Sequence, residues 1–135
     1  MKPALVDTDI LSMYFRGDKR VEANVEQFIE EYGKVNLSII TYYEIVSGLT
    51  FRDARKQLTS FLAFAKEHRI LPLTEHAASM AAELYAALRK KGQPIDDIDL
   101  LIAGIALSNS LILTTNNERH FERIEALEVV NWSKE

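Results

Sequence analysis

The chain has no cysteine, which excludes a disulfide framework and any zinc site built on thiolates. Histidine is nearly as scarce, and His68, His76 and His120 are scattered without the spacing of metal ligands. No repeat, linker or low-complexity tract interrupts the 135 residues, so a single domain over 1–135 is expected, large enough to bury most of its apolar surface. The apolar stretch of a signal peptide is missing as well. Met-Lys-Pro-Ala-Leu-Val meets Asp7 too soon, and a reduced, cytoplasmic setting is the expectation. Leu100 to Asn117 is 18 residues without a charge, but it contains Ser108-Asn109-Ser110 and ends in Thr-Thr-Asn-Asn. It reads as helix, turn and strand, where a membrane span would want about 20 mostly apolar residues.

A positive charge balance is also lacking. The net charge of −4 has the wrong sign for nucleic-acid affinity driven by overall charge, so a phosphate-bearing substrate must be met locally. The candidate basic groups are Arg52, Arg55, Lys56, Lys66, Arg69 and the run Arg89-Lys90-Lys91. That run has an ordinary explanation too, as cations in a last helical turn before Gly92 that suit the helix dipole.

Against these absences stand six acidic residues in three places. Asp7 and Asp9 lie in Leu-Val-Asp-Thr-Asp-Ile-Leu, Glu44 in Thr-Tyr-Tyr-Glu-Ile-Val, and Asp96, Asp97 and Asp99 in Pro-Ile-Asp-Asp-Ile-Asp-Leu-Leu-Ile-Ala. Each group sits at the edge of an apolar run. Carboxylates at the rim of a core crowd one another unless a hard cation neutralises them, so the set reads as a metal site.

The elements place these acids. Ala4–Val6 reads as a short buried strand and Ile10–Phe15 as the start of a helix. A second helix covers roughly 21–31, ended by Gly33, and Val35–Ile39 is another short strand. Glu44 falls in the next helix. From Phe51 the apolar positions 51, 54, 58, 61, 62 and 65 share one helical face, which predicts a long amphipathic helix ending near Glu67. Phe64 lies off that stripe, and is expected at an interface with a partner or a second subunit. A strand over 70–73 follows, then a helix capped by Thr74 with Ala77, Met80, Ala81, Leu84 and Leu88 as its core face.

A mostly apolar helix runs from about Asp97 to Leu107, followed by a strand over 111–113, a short helical segment at His120-Phe121 and a last strand over 127–130. Short apolar strands alternating with helices indicate a parallel α/β sheet. Ligands gather beyond the carboxyl ends of such strands, which brings Asp7, the segment before Glu44 and Thr114–Asn117 to one rim.

There a divalent ion, Mg²⁺ or Mn²⁺, would relieve the repulsion, lower the pKa of a bound water and stabilise charge on a phosphoryl oxygen, as phosphodiester hydrolysis requires. Each acid also has a capping alternative. Thr41 to Glu44 fits a capping box, Asp96 with Asp99 could cap one helix, and Asp9 could cap the first. Thr115 and Asn117 add a hydroxyl and an amide without charge, able to hold a water or phosphate or simply to form a polar turn.

The pattern resembles a PIN domain, and within that superfamily the VapC-type toxins of bacterial and archaeal toxin–antitoxin pairs. The matching stretches are those around Asp7, residues 40–48 (Ile-Thr-Tyr-Tyr-Glu-Ile-Val-Ser-Gly) and residues 94–103. To them are added 113–124 and Leu-Glu-Val-Val-Asn-Trp at 127–132, so nearly the whole chain takes part. The resemblance implies a compact three-layer α/β/α sandwich around a mainly parallel sheet of four to five short strands. It also implies Mg²⁺- or Mn²⁺-dependent endoribonuclease activity on structured RNA such as tRNA, a homodimer, and a cognate antitoxin that blocks the site.

Carried over by position, Asp7, Glu44 and Asp99 match the three acids of the PIN site, and Asp97 falls where some relatives have a further acid. Thr8 and Asp96 flank these positions as secondary candidates. Asp9 departs from the asparagine common at its position. Asn117 stands where other PIN domains place a fourth aspartate, which leaves open how many ions bind. Two competing readings remain: a haloacid-dehalogenase-like phosphatase, whose paired aspartates have the spacing of Asp7-Thr8-Asp9, and a catalytically silent binding domain with an acidic pocket. The first would want a Thr or Ser strand and a Lys between its acidic motifs, whereas Thr114 and Thr115 follow both. A receiver-like form of the second would want a Lys that Leu111–Asn117 does not supply.

Overall fold

The computed structural model describes every residue from Met1 to Glu135. Five strands form one sheet: β1 (Ala4–Val6), β2 (Asn36–Ser38), β3 (Arg69–Leu71), β4 (Ile112–Thr114) and β5 (Val129–Val130). Their spatial order is β3-β2-β1-β4-β5 and every pairing is parallel. Seven helices connect them: α1 (Thr8–Phe15), α2 (Lys19–Tyr32), α3 (Ile39–Phe51), α4 (Arg55–Glu67), α5 (Glu75–Lys90), α6 (Asp97–Ser108) and α7 (Glu118–Phe121).

Alternation along the strands makes two apolar cores. Leu5 and Leu113 point to the face covered by α5, α6 and α7, with Ala77, Ala81, Ile102, Ile105 and Phe121. Ala4, Val6 and Leu37 point to the other, where α1, α2 and α4 contribute Ile10, Leu11, Val21, Phe28 and Phe61. This is the expected three-layer α/β/α sandwich, and no helix is long and apolar enough to cross a membrane. The chain moves from β1 outward through β2 to β3, then returns to the opposite side of β1 at β4. The topological switch point therefore lies between the carboxyl ends of β1 and β4, where a parallel sheet opens a crevice. Asp7 and Thr115 stand one residue beyond those two ends.

The expected long helix ends at Glu67 as read from the sequence, but it begins at Arg55 and not at Phe51. Asp53 adopts a left-handed backbone (φ 55°), a conformation short polar side chains tolerate, and it separates α3 from α4. Phe51 ends α3 and is 91% exposed, while Phe61 and Ala65 carry the stripe into the core. Phe64 is also placed differently. It is half-buried in an aromatic cluster, its ring 5.2 Å from that of Phe15, 5.7 Å from Tyr14 and 4.0 Å from the His68 imidazole. An i,i+3 offset on α4 lets it pack on α1, which the single-stripe reading did not allow for.

Side-chain caps open four of the seven helices, α1, α2, α3 and α5. Ser38 accepts from the Thr41 amide at 3.0 Å, so the capping residue of α3 is Ser38 and the expected box from Thr41 to Glu44 does not form. Thr74 caps α5 as expected. Asp7 takes the cap position of α1 in place of Asp9, and Asp96 that of α6 without any side-chain cap bond.

Candidate active site

Three helices carry the acids to the crevice, α1 and α6 from their first turns and α3 from its second. Directly after β1, Asp7 accepts from its neighbour's amide, Thr8 N, at 2.8 Å and from the Thr115 hydroxyl at 2.7 Å. Asp9, in the first turn of α1, accepts from the Ile10 backbone N–H at 2.7 Å and from the Asn116 backbone N–H at 3.0 Å. That second bond ties α1 to the turn after β4, across the switch point.

Glu44 reaches the same place from α3, accepting from the Thr8 hydroxyl at 2.6 Å. Thr8 in turn stands 2.9 Å from the Thr41 hydroxyl, to which Ser38 donates at 3.3 Å. The row Ser38, Thr41, Thr8, Glu44 passes its donors toward the carboxylate, and such rows strengthen each bond in turn. Asp99, in the first turn of α6, is half-buried with its Oδ2 3.8 Å from Nδ1 of His120.

The electrostatics decide what these oxygens can do. Burial, then the charge of Asp9, push the Asp7 carboxyl up to about 7, against the lowering effect of its two donors. Burial also raises Asp9. Asp99 is raised by burial and by the charges of Asp96, Glu44 and Asp9, with His120 working against them. Carboxylates from α1, α3 and α6 thus share one field, and their hydrogen bonds do not compensate the charge.

All the oxygen donors are hard, the kind that Mg²⁺ and Mn²⁺ prefer. No three acidic or imidazole groups converge into a finished ligand cage. Mg²⁺ keeps several waters and takes one or two direct carboxylates, so Asp7 with Asp99 or Glu44 fits its needs.

Three candidates from the sequence take other places than expected. Asp97 is exposed and is not among the leading charges acting on Asp7 or Asp99, whereas Asp96 is among those raising Asp99. The Thr115 hydroxyl donates to Asp7, which leaves it no free proton for a phosphate. Asn117 turns toward α7, its amide nitrogen 2.8 Å from His120 Nδ1 and its backbone N–H donating to Thr115 Oγ1 at 3.0 Å. The sequence reading missed Ser38, Thr41 and His120. His120 follows Asn117 by three residues, a helical i,i+3 spacing that could have flagged it once α7 was expected there.

The family model described as PIN domain matches residues 4–127. The chain belongs to the PIN-domain family. Among PIN-domain relatives, Ribonuclease VapC1 of Methanocaldococcus jannaschii is 33% identical over 121 residues, 90% of this chain and 80% of that one. The tRNA(fMet)-specific endonuclease VapC of Shigella flexneri is 32% identical over 109 residues, 80% and 83% of the two chains. Among solved PIN-domain structures, the DNA-bound VapBC of Salmonella typhimurium superposes with a TM-score of 0.86 at 27% identity, over 98% of this chain and 99% of that one. This family likeness sets aside the phosphatase and silent-domain readings.

Proposed function

We propose that the chain is a VapC-type endoribonuclease, the toxin of a toxin–antitoxin pair, which cuts structured RNA with a divalent cation held at Asp7, Glu44 and Asp99. The carrying observation is the crowded anionic crevice at the β1/β4 switch point, where Asp7 is driven up to about 7 by burial and by Asp9. When bound there, Mg²⁺ or Mn²⁺ supplies an acidified water and charge stabilisation on the phosphoryl oxygen.

The protein's residues do the rest. Asp7 is fixed by Thr115 and the Thr8 amide, so its oxygens stay aimed into the crevice. Glu44, held by the Thr8 hydroxyl, is a second anionic oxygen donor. Asp99 faces His120, whose ring Asn117 orients. A tRNA substrate is supported by the 32% identity to the Shigella flexneri enzyme. A protein antitoxin is supported by the likeness to VapBC. A homodimer accords with the exposed apolar stripe of α3, Ile39, Tyr43 and Phe51.

The test is to incubate purified protein with total RNA, with Mg²⁺, with Mn²⁺ and with chelator, and to map new ends by sequencing. Discrete new ends in tRNA that vanish with chelator are expected. Intact RNA in every arm, or cleavage indifferent to chelator, rejects the reading.

A further inference from the structure

A groove of about 650 Å³ leads away from Thr8 and Glu44 between α1, α3 and the start of α4. Four of its thirteen lining residues are hydrophobic and the rest are polar, charged or glycine. Glu44, at the site end, is its one acid; beyond it come Arg16, Arg52 and Lys56, all exposed. None of the three forms an ion pair, whereas Arg55 beside them pairs with Asp53 at 3.3 Å. In a chain of net charge −4, three uncompensated cations along one groove make a local reversal of sign.

Arg16 and Arg52 occupy the C-caps of α1 and α3, where a cation also suits the helix dipole. Lys56 has no such explanation. It lies in the first turn of α4, at the positive end of a helix that has no acid there, so its charge works against the helix that carries it. The Arg52 guanidinium lies over Gly48, close enough that a Cβ there would be in ordinary van der Waals contact with Nη1, at 3.5 Å.

We propose that this groove is the track for the substrate's sugar-phosphate backbone, with Arg16, Arg52 and Lys56 contacting phosphates next to the one that is cut. The inference rests on the ribonuclease reading. Those cations lie on the side of Glu44 away from the crevice, so a strand with one phosphate at the acids continues along them. Guanidinium forks and an ammonium suit successive phosphates, and such contacts position a strand without reading its bases.

The test measures binding of a mixed tRNA pool in chelator, where no cleavage occurs, over a range of salt. The variants are the triple Arg16→Gln/Arg52→Gln/Lys56→Gln, Lys56→Gln alone, and Arg55→Gln as an equal charge change at a paired neighbour outside the groove lining. Each contact to a single strand contributes about 0.7 to the log–log salt slope, so the triple variant should lose about 2 and Lys56→Gln about 0.7. With cation restored, KM for tRNA should rise in both while kcat at saturation holds, and Arg55→Gln should match wild type.

Lys56→Gln keeps the test valid if the triple variant unfolds. Unchanged slope and KM in Lys56→Gln, or an equal effect of Arg55→Gln, overturns the track while leaving the nuclease standing. Loss of antitoxin binding with RNA binding intact assigns the groove to the protein partner and also overturns it. A wild type that neither binds nor cuts RNA would instead fail the ribonuclease reading itself.

Discussion

The body of α6 and its first turn are built on opposite terms. Ile102, Ala103, Ile105 and Ala106 are buried among apolar neighbours, and Gly104 lets α5 approach so closely that a Cβ would run into the Ala77 carbonyl. Five residues before Gly104, Asp99 is half-buried within reach of the charges of Asp96, Glu44 and Asp9. Hydrogen bonding does not separate the two regions, because every buried side-chain nitrogen and oxygen has a partner. What separates them is charge. The crevice leaves its electrostatics uncompensated, and the close-packed body of α6 holds Asp99 in place beside the other acids.

The largest effect that would break this contrast is at Asp7. Asp7→Asn keeps the shape and removes a buried charge, so cleavage should fall more than about 100-fold while the cation-free melting temperature holds or rises. Cleavage assays with thermal unfolding in chelator check both halves. Retained activity, or a sharp drop in melting temperature, would mean that Asp7 is a structural cap.

Gly104→Ala tests the other side. The new methyl meets backbone that cannot swing away, so stability should fall by about 1–3 kcal/mol, read as a shift in denaturant midpoint, with cleavage per folded molecule unchanged. A neutral result would show α5 and α6 free to separate, and the comparison would lose its rigid partner.

A smaller effect concerns pH. The folded-state pKa of Asp7 is raised from 3.8 to about 7, so its stabilising share is complete below 3.8 and disappears as pH climbs through 7. His68, lowered by burial, acts in the opposite sense but only below its ordinary value of 6.5. Between about pH 6.5 and 8 the cation-free protein should therefore lose about 1 kcal/mol from Asp7, and Asp7→Asn or saturating Mg²⁺ should flatten that slope. A flat wild-type profile in chelator would mean that solvent already compensates the crevice.

The parallel sheet, its two-faced core and the placing of acids at strand ends were legible because strand alternation and apolar edges are local signals. The break at Asp53 was not: a single left-handed residue interrupts an apolar period that itself continues, and the period alone cannot register it. The choice of caps was equally hidden. Thr41 and Ser38 are both good capping residues three positions apart, and only the end of β2 decides between them. The pairing of Thr115 with Asp7 depends on β4 lying against β1, a long-range fact that no local pattern carries, whereas that of Asn117 with His120 is a local i,i+3 contact of α7.

Asp97 gives the finest test of where the crevice ends. It matches a position where some PIN domains carry a further acid, yet here its side chain is exposed at the start of α6, it makes no cap bond, and it is not among the leading charges that raise Asp7 and Asp99. An exposed acid near a helix N-terminus contributes little beyond its share of the dipole, so Asp97→Ala should change stability by no more than about 0.5 kcal/mol and leave cleavage nearly intact. Asp99→Ala, made in parallel, should cripple cleavage because it removes an oxygen donor from within the shared field. If the two variants lose activity equally, the site extends outward past Asp99 and the boundary drawn by burial is misplaced. If Asp97→Ala instead costs stability alone, the residue serves the helix end, and the division within α6 lies between positions 97 and 99, two residues apart on one turn.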